Sequence, residues 1–437
     1  MHPSKAIRGR TTQLLAGRRL LLGISGSIAA IEVPRIVREL IRHGADVTAV
    51  MSAEAARLVT PESVEFATGH PPITQLTGQV EHVTALGPGE GQADLYLIAP
   101  ATANTISKIA HGIDDTPVTS FASIALGGHV PMMIAPAMHA HMGLNPAIQE
   151  NLAKLRSWGV DVIAPTSAEG EEKLAGPEEV AAHVLHRMAR GPWVGRSVVV
   201  VGGASREPID AVRSITNESS GASAIAIASQ AYYRGADVEL WAGALQVPSP
   251  PWVTLRRWSR VEDLLGLARE RREVLARAAA LLVPAALSDF TLEPHAGKIR
   301  SREVPSLTLT LHPAPKVLPE LRRLAPPPVR LVAFKLLAGA GARELEAEGR
   351  RLREETHADW VVANDVATMG RPDTDAWLIP PRGPAREVRA TKLEFAGRLL
   401  DELGGELTDE PASTEAAPHR SPARRRRTGS RRRARTG

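Results

Sequence analysis

Twice along this chain the same order of signals recurs: a short apolar run, a turn of small or polar residues, a helical stretch, and a second apolar run. The first copy opens at Arg19–Ser25 (RLLLGIS). It continues through GSIAAIEVPRIVRELIRHG, whose apolar positions recur at helical spacing up to Gly44, and resumes with ADVTAVMS. The second opens just after GPWVG at 191–195, with RSVVVVGGASREPIDAVRSITNESSGASAIAIASQAYYRGADVELWAG. Strand, turn, helix, strand is the unit from which parallel sheets are built, because parallel neighbours need a long crossover between them.

Further buried strands follow each copy. Ala93–Ala99 (ADLYLIA), Val130–Ala135 (VPMMIA) and Gly159–Ala164 (GVDVIA) extend the first sheet, and Ala280–Ala286, Val329–Phe334 and Trp360–Ala363 extend the second. The reading is α/β, with two Rossmann-like parallel-sheet domains in series. They are expected at 19–188 and 189–404, after an N-terminal extension at 1–18 and before a disordered basic C-terminal tail at 405–437. Hydrophobic residues at 43% suffice for packed interiors, and aromatics at 3% make those interiors aliphatic.

A net charge of +5 and a pI near 9.7 suggest nucleic acid, so the position of the charge matters. Nine arginines lie between Arg420 and the C-terminus with no acid among them, and without them the remainder carries −4. The basicity belongs to the tail, and neither domain shows basic stripes interleaved with aromatics, so nucleic acid is not the expected partner. The chain has no cysteine, which excludes disulfides, zinc–thiolate sites and cysteine nucleophiles. No segment reads as a signal peptide or approaches eighteen continuous apolar residues; the expectation is a cytoplasmic protein with no membrane association.

Several segments carry chemistry. GISGSIAA places small residues and a hydroxyl where a strand feeds a helix start, an anion site that lacks the full GxGxxG spacing and so suits a mononucleotide phosphate; a plain strand-to-helix turn reads equally well. APATANTISKIAHGIDD clusters Thr102, Asn104 and Thr105 at the carboxyl end of a strand, more polar groups than one helix cap requires. His82, alone in QVEHVTALG, is by itself ordinary. His139 and His141 in MMIAPAMHAHM have the spacing of a metal pair, yet His111, Asp114 and Asp115 fall in no ligand pattern that would complete it. In the second half the polar segment VGGASREPIDAVRSITNESSG is far longer than a structural turn and predicts ligand contact. ALSDFTLEPHAGKIRS offers Asp289 for Mg²⁺ or ribose and Lys298 for phosphates, with solvated loop charges as the plain alternative.

Together GSIAA, APATANTISK, PAMHAHM with NPAIQENL, SREPIDAVRSITNESSG, SDF with GKI, and ANDV resemble the bifunctional coenzyme A biosynthesis flavoproteins, over about residues 18 to 400. In that family phosphopantothenoylcysteine decarboxylase is fused to phosphopantothenate–cysteine ligase. The resemblance implies a homo-oligomer, the dodecamer among its sizes, with FMN held by Gly26, Ser27, Ser52, Thr102, Asn104 and Thr105. It implies a catalytic role for His82, substrate contacts from Met138, His139 and Met142, and binding of the acyl-nucleotide intermediate by Asn217. It further implies CTP as co-substrate with Mg²⁺ at Asp289. The nucleotide site would be formed by Val283, Pro284, Ala285, Asp289, Lys298, Pro315, Lys316, Val317, Leu318 and Phe334. The product of 4′-phosphopantothenate, L-cysteine and CTP would be decarboxylated to 4′-phosphopantetheine.

The chain departs from the bacterial pattern in three places. PAMN is PAMH here, with His139 where the family's asparagine binds the substrate carboxylate; a histidine donates to a carboxylate as an amide does. The substrate flap, PTSAEGEEKLAGPEEV, lacks the family's proton-donating cysteine, which leaves Lys173, Glu171 or Glu169 as donor, or a ligase whose flavin-binding first domain does not decarboxylate. PAMH and a Glu/Lys flap resemble the archaeal branch. Finally, two lysines expected before ANDV are missing, with Arg350, Arg351 or Arg353 as replacements.

Overall fold

The computed structural model describes residues 2–89, 91–168, 171–300, 302 and 306–408. Glu169 and the arginine-rich tail past residue 408 lie outside the described residues.

The first domain carries strands β1 (Arg19–Ile24), β2 (Asp46–Met51), β3 (Leu95–Ala101), β4 (Met132–Pro136) and β5 (Asp161–Val162), all paired in parallel in the order β2-β1-β3-β4-β5. β3 is buried along its whole length and β1 from Leu20 onward, as strands covered on both faces must be. Around the sheet lie α1 (Pro3–Ile7), α2 (Val33–Arg42), α3 (Ala53–Ala56), α4 (Pro61–Thr68), α5 (Glu81–Leu86), α6 (Ala103–Ala110), α7 (Pro117–Gly127), α8 (Ala140–Gly143), α9 (Pro146–Ser157) and α10 (Pro177–Met188). A short antiparallel hairpin, β6 (Thr166–Ala168) and β7 (Glu171–Lys173), precedes α10. The segment before Arg19 joins this core: α1 packs on α2 and α4, and Leu15 is fully buried.

The single helix expected up to Gly44 is two elements. Residues Ile28–Glu32 form a 3-10 turn and α2 begins at Val33. Pro34 is the reason, since its missing N–H is tolerated in the first helical turn and not inside a helix. Ile28 and Ile31 consequently lie on the surface.

The second domain carries β8 (Ser197–Gly202), the hairpin β9 (Arg206–Pro208) and β10 (Ser214–Thr216), then β11 (Asp237–Ala242), β12 (Thr254–Arg257), β13 (Ala280–Val283), β14 (Phe290–Thr291), β15 (His312–Pro313), β16 (Arg330–Leu337), β17 (Trp360–Asp365), β18 (Asp373–Ile379) and β19 (Arg386–Thr391). Its helices are α11 (Ala222–Tyr233), α12 (Val261–Glu270), α13 (Arg272–Arg277), α14 (Val317–Leu324), α15 (Ala342–Thr356) and α16 (Lys392–Thr408). The main sheet has the order β12-β11-β8-β13-β16-β17-β18-β19, parallel up to β17 and antiparallel beyond it. Its parallel part reverses direction between β8 and β13, as the first sheet does between β1 and β3. Those reversals leave a crevice at the carboxyl ends of the strands. β12, β18 and β19 go beyond the strands read from sequence, because edge and near-edge strands expose alternate residues and lack a continuous apolar run.

The domains meet along α10 and α11. The Tyr232 hydroxyl is 2.9 Å from His183 Nδ1, His186 Nδ1 donates to the Tyr232 carbonyl at 2.9 Å, and the His186 and Tyr232 rings stack at 4.2 Å. Tyr233 enters the first domain's core, edge-on to His43 at 5.6 Å. Among the described residues no helix is long and apolar enough to cross a membrane.

Burial, reinforced by the neighbouring His186, lowers the pKa of His183 from 6.5 against the opposing pull of Asp161. A histidine so depressed favours the folded state fully above its ordinary pKa, and that contribution is lost as pH falls through the lowered value. Thermal unfolding followed from pH 7.5 to pH 5 is therefore expected to show falling stability below about pH 6.5. His183→Gln, which keeps a partner for Tyr232, is expected to flatten that dependence.

Candidate active sites

The first cavity is assembled by one buried hydroxyl. Ser25 Oγ donates to the Pro100 carbonyl at 2.7 Å and accepts from the Thr102 amide at 2.9 Å, tying the end of β1 to the end of β3. Around that tie, three helical segments begin with a capping hydroxyl. Ser27 accepts from Ala29 N, Ser52 from Ala55 N, and Thr102 from Thr105 N, at 3.2 to 3.3 Å. Each start directs backbone N–H groups outward, so the arrangement favours an anion.

Between them lies a cavity of about 400 Å³ lined by Gly26, Ser27, Ser52, Thr102, Asn104 and Thr105 on one side and Met138 and Met142 on the other. A Cβ at Gly26 would lie 2.4 Å from Glu54 Cβ, so only glycine keeps this wall open. Lys108 also lines the space, with its charge committed to Asp115 at 2.8 and 2.9 Å. The sequence reading did not include Glu54, Lys108 or Thr116 in this lining. Their charge or hydroxyl alone does not distinguish them from ordinary surface positions.

His139 is the N-cap of α8 and is exposed. Its Nδ1 accepts from the His141 amide at 3.3 Å, so the neutral ring carries its proton on Nε2 and presents a donor there. The two imidazole rings are 5.1 Å apart, and among the described residues no group of three His, Asp or Glu is arranged to hold a metal. The β6–β7 hairpin, with Glu171 and Lys173 on β7, lies against α8, whose N-cap is His139; the side chain of Glu171 lies outside the described residues. His82 is not in this lining. It sits on α5, edge-on to Phe121 at 6.2 Å, and its Nδ1 is buried without a partner among the described residues.

A second cavity, of about 940 Å³, opens at the carboxyl ends of β13 and β16 and the start of α11. It gathers Asn217, Val283, Pro284, Ala285, Asp289, Pro315, Lys316, Val317, Leu318 and Phe334. Asn217 Nδ2 donates to the Leu287 carbonyl at 2.9 Å, and Lys316 pairs with Asp289 at 3.0 Å in an exposed position.

Lys298 stands apart from this lining. Its loop is fastened to the β9–β10 hairpin, where Ala211 N donates to the Gly297 carbonyl and Ile299 N donates to Asp210. Burial would raise the Asp210 carboxyl, but the amides of Val212, Arg213 and Ile299 and the Arg213 guanidinium outweigh it and hold the group at about 2. Of the three arginines considered as replacement cations, only Arg351 reaches the cavity. Arg350 is bound by Glu346 and the Gly383 carbonyl, and Arg353 by the Pro381 carbonyl, because one helical turn spreads the three around α15.

Gly26→Ala is expected to weaken retention of an anionic ligand in the first cavity by about 1–3 kcal/mol, the usual cost of forcing a methyl into packed space. Equilibrium dialysis of a flavin mononucleotide against the full chain checks this, and equal retention by both proteins would remove the cradle assignment.

Comparison with known proteins agrees with this division. The Flavoprotein family model matches residues 8–189, and the model for the DNA/pantothenate metabolism flavoprotein C-terminal domain matches residues 193–405. The coenzyme A biosynthesis bifunctional protein CoaBC of Thermococcus kodakarensis is 41% identical over 404 residues, covering 92% of this chain and 99% of the relative. Its counterpart in Methanocaldococcus jannaschii is 32% identical over 408 residues, covering 92% and 97%. A crystal structure of the FMN-dependent cysteine decarboxylase SpaF is 34% identical, covering 38% of this chain and 99% of that one, with a TM-score of 0.33. The chain thus belongs to the family of bifunctional coenzyme A biosynthesis flavoproteins, enzymes that combine a decarboxylase with a ligase.

Proposed function

We propose that the second domain joins L-cysteine to 4′-phosphopantothenate at the expense of CTP, and that the first removes CO₂ from the adduct with FMN to give 4′-phosphopantetheine. The observation that carries this reading is a pair of separate cavities, one at each sheet reversal. One is ringed by capped amides and sized for a mononucleotide, the other is larger and lined by cations.

The residues present fit FMN. Gly26, Ser27, Ser52 and the Thr102–Thr105 turn would receive its phosphate and hold the ring beside Met138 and Met142. When bound, the flavin supplies a two-electron acceptor for the cysteinyl end of the adduct, which makes loss of CO₂ feasible. His139 Nε2 donates to the substrate carboxylate and fixes its orientation. The β6–β7 hairpin packs against α8, and Lys173 or Glu171 on it would hold the proton that a cysteine-free chain must supply by other means.

His82 lies outside its own chain's cavity, and Ile28, Ile31, Val80 and Val83 are exposed. These observations support a homo-oligomer in which a second copy brings its histidine to the flavin. In the ligase, Asp289 is paired with Lys316 and no cluster of three metal-binding side chains occurs among the described residues. Such a donor set suits Mg²⁺ arriving with the nucleotide as part of the substrate, with Asp289 as at most one ligand. Formation of the acyl nucleotide creates the good leaving group that a free carboxylate lacks, and Asn217 holds that intermediate.

The test supplies 4′-phosphopantothenate, L-cysteine, Mg²⁺ and CTP to the full chain and follows product mass. The decarboxylated product is expected. Accumulation of the cysteine adduct alone would instead support a ligase with a non-decarboxylating flavin domain, the reading that the missing cysteine favours.

On the decarboxylation step, His139→Ala is expected to raise KM for the adduct about tenfold, the scale of one charge-assisted hydrogen bond, and His139→Asn to restore most of it. Lys173→Ala or Glu171→Ala should slow the same step at least about tenfold. Unchanged rates in both flap variants would remove the proton-donor role.

A further inference from the structure

The cations of the second cavity are not equivalent. Lys316, Lys335, Arg351 and Lys392 all line it. Lys316 is paired with Asp289 at 3.0 Å. Arg351 donates to Glu348 at 2.7 Å and lies 3.6 Å from Glu355. Lys392 donates to the Arg371 carbonyl and lies 3.4 Å from that of Asp373. Lys335 is half-buried and, among the described residues, has no hydrogen bond or ion pair.

Its position follows from the strand. Along β16, Val332 and Phe334 face the core under α11 and α16, whereas Leu331 and Ala333 face the core beneath α14 and α15. Lys335 continues the second series just where β16 runs out of its apolar layer and into the cavity, one residue after Phe334. An ammonium partly withdrawn from water with no acceptor is unfavourable, and a bound anion would relieve that cost. Of the three acids in the lining, Asp289 and Glu355 have cationic neighbours, and Glu218 is exposed and makes no ion pair with Lys335. An anion brought by a ligand would supply the partner that Lys335 does not find among the described residues.

We infer that Lys335 is a phosphate-binding residue of the ligase cavity, an inference that rests on the ligase reading above. The chemistry it recognises is a phosphoryl group carrying at least one full negative charge. Two substrates bring such a group: the triphosphate of the nucleotide and the 4′-phosphate of the pantothenate. A lysine serves either as a compact point charge, and at the triphosphate it would also offset the charge that gathers on the departing pyrophosphate. Lys335 would fill the gap left by the absence of lysines ahead of Ala363–Val366, where Arg350 and Arg353 point elsewhere.

The test compares the full chain with Lys335→Met, which keeps stem length without charge, and Lys335→Arg. Ligation rates are measured while CTP, 4′-phosphopantothenate and L-cysteine are varied in turn, and binding of inorganic pyrophosphate is followed by calorimetry. Lys335→Met is expected to lower kcat/KM about tenfold for one phosphorylated substrate, to leave that for L-cysteine within about twofold, and to be largely rescued by arginine. A loss confined to CTP, with about tenfold weaker pyrophosphate binding, assigns the contact to the triphosphate. A loss confined to 4′-phosphopantothenate assigns it to the 4′-phosphate. Unchanged constants for both substrates, with unchanged pyrophosphate binding, overturn the inference. If the unmodified chain makes no adduct with CTP or ATP, the ligase reading fails by itself, and equal pyrophosphate affinities in the two proteins then overturn the Lys335 assignment separately. An unchanged thermal unfolding transition of the second domain in each variant shows that its fold is intact.

Discussion

Parallel strand pairing is the constraint on which the rest of this molecule depends. A parallel pair cannot be closed by a tight turn, so each strand must be followed by a crossover that returns to the same starting edge. All connections that leave the strands' carboxyl ends are thereby collected on one rim, and a reversal in strand order opens a gap between them. Ser25 and the Pro100–Thr102 turn stand at that gap in the first sheet, held together through one hydroxyl. In the second, the Ser205 hydroxyl accepts from Ser288 N, joining the connections after β8 and β13 in the same manner. Chemistry-bearing groups distant in sequence meet because two strands are neighbours.

The same architecture yields two different electrostatic environments. In the first cavity the attraction for an anion comes chiefly from backbone amides at helix starts, and Lys108 is neutralised by Asp115. Amides fixed in position suit a single phosphate that binds once and stays. In the second cavity the attraction comes from side-chain cations, chiefly Lys335 on β16 and Lys392 at the start of α16, since Lys316 and Arg351 are paired with acids. That arrangement suits polyanions that must enter, change charge and leave during each turnover. Among the described residues none lines both cavities.

Legibility in the sequence followed burial. The strands β1, β3, β8 and β13 announce themselves as unbroken apolar runs because both of their faces are covered. Thr102, Asn104 and Thr105 were equally legible, since a cluster of small polar residues just beyond such a run has to sit on the rim. Features set by three-dimensional neighbours were not. The placement of Lys298 depends on Asp210, 88 positions earlier, and the lack of a partner for Lys335 among the described residues depends on which side chains share its cavity. His82 was legible as a motif residue, yet its distance from its own cavity could emerge only from the fold.

If His139 binds the substrate carboxylate as proposed, local backbone chemistry shows how a histidine can stand in for an amide. An asparagine offers a carboxylate an N–H donor without carrying charge. A histidine offers the same only if the correct ring nitrogen holds the proton, and in a free imidazole both tautomers exist. Here α8 begins at His139, and the first free amide of that helix, His141 N–H, takes Nδ1 as its acceptor. The cap therefore does two things with one hydrogen bond: it satisfies a helix start and it assigns the proton to Nε2. With its donor fixed in this way, the neutral imidazole presents the same polarity to a carboxylate as the amide it replaces. The apparent metal pair is a helix cap, one residue beyond Met138 of the cavity lining.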